Sequence, residues 1–150
     1  MSTNEILEQF GLVRRKINRL LIIYLKEISL GPKQMLLLRF VHKHELCTMT
    51  DISTGVGSDK SSVTRMINSL VKTKYLELTY SKDDHRAVLV SLGSKAEKII
   101  PQIEKTYARL SKNFASSLNE QEQTTLLAIL KKIEPSLQKT INTAIAGNKN

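Results

Sequence analysis

Near the middle of this chain two short runs alternate apolar and polar residues, while the residues on either side repeat at steps of three and four. Leu76, Leu78 and Tyr80 alternate with Glu77 and Thr79, and Val88, Val90 and Leu92 alternate with Leu89 and Ser91. A period of two belongs to a strand and a period near 3.6 to a helix. The chain is therefore expected to be mainly α with one small β-hairpin. The segment between the runs, Ser81-Lys-Asp-Asp-His-Arg-Ala87, is longer than a minimal turn and very polar. Such a tip has a task beyond reversing the chain.

The helical parts divide at recognisable signals. Ile6, Phe10, Val13, Ile17, Leu20, Tyr24 and Ile28 form one stripe, which predicts a single helix over residues 1–30. Gly31-Pro32 ends it, and Pro32 is well placed to open a second helix reaching about His44. Thr48 followed by Asp51 is close to a capping box and predicts a short third helix, stopped at Gly55-Val-Gly57. Ser58 or Asp59 can then cap a fourth, with Val63, Met66, Ile67, Leu70 and Val71 on its inner face. After Gly93 the period is helical again, through Ala96, Ile100, Ile103, Tyr107, Leu110 and Phe114. Asn119 with Glu122 opens a last helix carrying Leu126, Leu130, Ile133, Leu137 and Ile141. Pro101 and Pro135 fall inside these patterns, and each is expected to kink or split its helix.

Composition narrows the function classes. A chain of 150 residues is a prior for one domain, here 1–150. Its net charge of +9 is spread as +2, +3 and +4 over residues 1–30, 31–92 and 93–150, so no basic tail accounts for it. The longest apolar run, Leu20 to Leu25, is too short to span a bilayer, and the first residues lack the pattern of a signal peptide. The expected location is cytoplasmic, without membrane partners. The single cysteine, Cys47, excludes an internal disulfide and reads as a small buried apolar residue. No phosphate-binding glycine loop, nucleophile elbow or metal signature is present, so neither enzyme activity, cofactor nor metal is expected. His42 and His44 lie about 200° apart on a helix, unsuited to one metal. Asp83, Asp84 and His85 read as residues of a solvated hairpin tip.

A short capped helix, a glycine turn, an amphipathic helix with a small polar face and a charged hairpin, in that order, describe a winged helix-turn-helix over about residues 31–92. A polar face alone is ordinarily just a solvated face. The four features in sequence point to DNA. A helix entering a major groove about 12 Å wide needs small side chains near its start. Ser61, Ser62 and Thr64 meet that need and can donate to phosphates or base edges, Lys60 beside them is a further DNA-binding candidate, and Arg65 can pair with guanine and Asn68 with adenine. The start of this helix also favours a phosphate. Lys82 and Arg86 on the tip would reach the adjacent minor groove.

Residues from about 30 to 97 resemble the MarR (multiple antibiotic resistance regulator) family of winged helix-turn-helix regulators. The resemblance rests on Leu30-Gly-Pro-Lys-Gln34, on Ser62-Val-Thr-Arg65 with Leu70, and above all on Asp84-His-Arg-Ala-Val-Leu-Val-Ser-Leu92. It implies that Arg86 is the minor-groove arginine, oriented by Asp84, and that Ser61, Ser62, Thr64 and Arg65 contact the operator. Two departures stand out. Gly31 and Gly93 replace threonines at helix starts, and Lys74 stands where a glycine commonly ends the recognition helix. If that position needs a positive φ, the lysine adds strain.

The family is dimeric. The long stripes of residues 1–30 and 93–146 give an independent reason, since they exceed what one small winged region can cover. A dimer would set two recognition helices near one helical turn apart on a pseudo-palindromic operator. The resemblance further implies a repressor whose DNA binding a small aromatic ligand weakens. The alternatives are a winged-helix module that binds another protein and a non-specific architectural DNA-binding protein.

Overall fold

The computed structural model describes residues 2–83 and 86–149. Its elements run α1 (Thr3–Leu25), α2 (Pro32–His44), β1 (Cys47–Thr48), α3 (Met49–Val56), α4 (Lys60–Lys72), β2 (Leu76–Tyr80), β3 (Val88–Leu92), α5 (Ser94–Ala115) and α6 (Glu120–Asn148). The chain divides into two compact units, Met1–Leu110 and Ser111–Asn150.

Within the first unit, the helix starts are built as their sequences dictate. The Gly31 N–H donates to Gln34 Oε1 at 2.9 Å, with Pro32 at the first helical position, where no donor is needed. Thr48 and Asp51 satisfy each other's backbone N–H at 3.1 and 3.0 Å, a reciprocal cap on α3. Gly57 ends α3 with φ of 68°, a left-handed turn in which glycine carries no steric penalty. α3 then lies close on α2: a methyl group at Gly55 would stand 1.9 Å from a ring carbon of Phe40.

The core is one cluster. Leu21 and Leu25 of α1, Leu37, Leu38 and Val41 of α2, Ile52 of α3, and Val63, Ile67 and Leu70 of α4 are buried in it. Leu76, Val90, Ala96, Ile100 and Ile103 close it from the sheet and α5. Truncating any one of these large side chains would cost about 2–5 kcal/mol. Arg39 of α2 adds a polar tie to α5, its guanidinium donating to both carboxylate oxygens of Glu104 at 2.7 and 3.2 Å. That contact holds the Glu104 carboxyl below its ordinary pKa.

Several expectations change. α1 stops at Leu25 rather than at residue 30, and Ser29 takes a φ of 58° in the turn that leads to α2. Its stripe divides: Ile17, Leu20, Tyr24 and Ile28 pack against the core, while Ile6, Phe10 and Val13 are 51%, 54% and 41% exposed. The hairpin gains a third strand, giving an antiparallel sheet of order β1-β3-β2 with Cys47 paired to Val90 and Leu76 to Leu92. Two residues are too few to show an alternation, so β1 left no periodic signal. Of the two outcomes open at the prolines, splitting does not occur at either. α5 continues through Pro101 because Ala96, Ile100 and Ile103 anchor it on both sides, so one missing hydrogen bond is affordable. α6 likewise continues through Pro135.

In the second unit α6 begins at Asn119, whose side chain accepts from the Glu122 N–H at 2.9 Å as its sequence implies. It buries none of its residues. Leu127, Ile133, Leu137, Ile141 and Ile145 are all exposed.

Candidate nucleic-acid interface

α4 presents two distinct sides. Val63, Ile67 and Leu70 are fully buried, and Met66 and Val71 pack against them. Ser61, Arg65, Asn68 and Lys72 lie exposed on the other side, as does Lys60 in the first turn, with Ser62 and Thr64 half-buried at its edges. The helix periodicity thus brings Ser61, Arg65, Asn68 and Lys72 onto one solvent face, with Lys60 exposed separately in the first turn. These are the residue types that read a major groove.

The hydroxyls of this face are already engaged. Ser61 donates to Asp59 Oδ2 at 2.7 Å, and Thr64 donates to the Lys60 carbonyl at 2.8 Å. Asp59 also accepts the Ser62 N–H at 3.0 Å, making it the N-cap of α4. Donation from the Ser61 hydroxyl, then from the Ser62 N–H, holds the Asp59 carboxyl far below the usual carboxylate range. At this helix start the Asp59 carboxylate accepts one of the first-turn donors, the Ser62 N–H, and its charge complements the helix dipole there. Asp59 was legible in the sequence as a cap.

The wing stands on a regular ladder, with Leu78 opposite Val90 and Tyr80 opposite Val88. The Ser81 N–H donates to the Ala87 carbonyl at 2.9 Å and closes the base of the tip. Lys82 and Arg86 are both exposed on it. Asp84, expected to orient Arg86, lies outside the described residues, as does His85. β2 is an edge strand and buries only Leu76, leaving Leu78 and Tyr80 38% and 68% exposed.

The junction between α4 and the wing explains the departures read in the sequence. Lys74 has a φ of 63°, the left-handed conformation that glycine adopts without penalty. A methyl group on Gly93 would stand 2.4 Å from the Lys74 carbonyl oxygen, so the close pass of that strained backbone requires glycine at 93. The Gly93 N–H donates to the Tyr75 carbonyl at 2.9 Å, and its own carbonyl accepts the first bond of α5 from Ala96 at 3.0 Å. The two unusual residues meet at one crossing.

Cys47 is buried, as its apolar reading requires, and burial pushes its thiol pKa up. No group of three or more metal-ligating side chains occurs among the described residues. Nor is any described helix long and apolar enough to cross a membrane.

Comparison with known proteins agrees with this geometry. Residues 28–87 match the sequence profile of the MarR family. Over 127 residues the chain is 26% identical to the HTH-type transcriptional regulator YhbI of Bacillus subtilis, covering 85% of this chain and 80% of that one. It is 27% identical over 125 residues to the multiple antibiotic resistance protein MarR of Escherichia coli, covering 83% and 87%. The crystal structure of a variant of that E. coli protein complexed with operator DNA superposes with a TM-score of 0.78 at 27% identity, over 87% of this chain and 96% of the other.

Proposed function

We propose that this chain, which belongs to the MarR family of winged helix-turn-helix transcriptional regulators, works as a homodimer on a pseudo-palindromic operator and represses the adjacent genes. The observation that carries this reading is the exposed face of α4, with Ser61, Arg65 and Asn68, and an exposed Lys60 in its first turn, beside a wing that exposes Lys82 and Arg86. In the proposed complex α4 lies in the major groove. Arg65 and Asn68 read base edges, Lys60, Ser62 and Thr64 contact backbone or bases near the helix start, and Arg86 enters the minor groove with Lys82 on the flanking phosphates. Ser61 and Thr64 must give up their internal hydrogen bonds to donate to DNA, but their oxygens can accept without doing so. Asp84 keeps its proposed role of orienting Arg86.

The winged region is 31–92, and residues 1–30 and 93–146 supply the dimer contacts. Support comes from the apolar side chains that a lone chain leaves in water: Ile6 and Phe10 on α1, and Leu137 and Ile141 on α6. So much exposed apolar surface is typical of an interface between subunits. Sedimentation at micromolar concentration is expected to give twice the chain mass, and a monomer would overturn the dimer. Release by a small aromatic acid, through a population shift to a spacing that no longer fits DNA, completes the reading. Aromatic acids at millimolar concentration should then change melting temperature and operator affinity, and unchanged values for both would remove the ligand.

A further inference from the structure

We propose that Arg39, Glu104 and Tyr107 form a clamp that sets the separation of the two recognition helices, and thereby selects the half-site spacing of the operator. The inference rests on the homodimeric DNA-binding reading and adds to it the residues that determine which operators fit.

Arg39 stands on α2, inside the winged region, and its side chain is only 12% exposed. Two residues one turn apart on α5 grip it from different directions. Glu104 takes the guanidinium edge in a two-pronged contact, at 2.7 Å from Nε and 3.2 Å from a terminal nitrogen. The ring of Tyr107 takes its face, with the guanidinium carbon 3.4 Å from the ring centre. A planar cation held in its plane by a carboxylate and across its face by an aromatic ring can neither rotate nor slide freely. Such a contact fixes an angle, whereas apolar packing alone tolerates small sliding.

The place of the clamp gives it leverage. α2 is packed with α3 and the sheet that support α4, and α5 is the element that follows the wing in the chain and precedes the C-terminal helix. In a dimer held through the terminal helices, a change in the angle between α2 and α5 moves each recognition helix relative to its partner. Half-sites must lie about one helical turn apart for two such helices to seat together, so the angle becomes a spacing. Arg39, Glu104 and Tyr107 are thus positioning residues, acting through helix orientation rather than on a base.

The test compares wild type with Glu104→Gln, Arg39→Lys and Tyr107→Phe. Selection from a random duplex library supplies the wild-type inverted repeat. Affinity is then measured on duplexes whose half-site separation is altered by one and two base pairs, with melting temperature as a check on folding. Wild type and Tyr107→Phe, which keeps the ring, are expected to lose about tenfold or more in affinity on the altered spacings. Glu104→Gln and Arg39→Lys, which lose the charge or the fork, should hold all spacings within about threefold of one another. A folded Glu104→Gln with the wild-type spacing profile would overturn the clamp. Should that variant not fold, Arg39→Lys decides by the same criterion. A wild type that selects no inverted repeat would remove the dimeric reading itself, an outcome distinct from failure of the clamp.

Discussion

Lys74 holds a backbone conformation that an L-residue adopts only at a cost, and the fold tolerates it just past the end of α4. The left-handed region costs about 1–2 kcal/mol for a residue with a Cβ, offset in part by the roughly 0.5–1 kcal/mol of extra chain entropy that glycine loses on folding. Lys74→Gly is therefore expected to stabilise the protein by about 0.5–1 kcal/mol, read as a higher urea midpoint at unchanged slope. The departure from the family pattern at 74 is visible in the sequence, and so is the glycine at 93. Their connection is not, because the 2.4 Å approach that forbids a side chain at Gly93 is made by backbone atoms distant in the chain. The engagement of Ser61 and Thr64 was hidden for a related reason. A hydroxyl that can bond DNA can equally bond its own helix, and only coordinates show which it does.

Among the elements, α4 depends on Asp59 at its start. Its carboxyl titrates far below its ordinary value because the Ser61 hydroxyl and the Ser62 N–H donate to the charged form. The unfolded chain binds that proton near pH 4, so the stabilisation is complete above that value and fades as pH falls toward the folded pKa. Wild type should lose stability more steeply than Asp59→Asn between about pH 5 and pH 2, since asparagine caps without titrating. Urea midpoints at matched pH check this, and parallel curves would contradict it. Most elements were legible: the inner face of α4, the capping boxes of α3 and α6, and both strands of the wing follow from period and cap residues. Three features were not. β1 is too short to have a period, the end of α1 is set by a turn at Ser29 rather than by the Gly31-Pro32 signal, and Pro101 sits in a helix that tertiary burial holds together.

At the scale of the whole molecule, the winged region has a buried core, while apolar stripes on α1 and α6 remain in water. The sequence displayed those stripes without showing how far the core would cover them. The structure draws the line along α1, where Leu21 and Leu25 are buried and Phe10 is not. Whether two copies read DNA through α4 and the wing is decided by selection from a random duplex library at about 150 mM salt, with Arg86→Ala in parallel. An inverted repeat with half-sites about one helical turn apart is expected, with a loss of affinity of more than about tenfold in the variant. No enrichment, or an enriched sequence bound equally by Arg86→Ala, would contradict it.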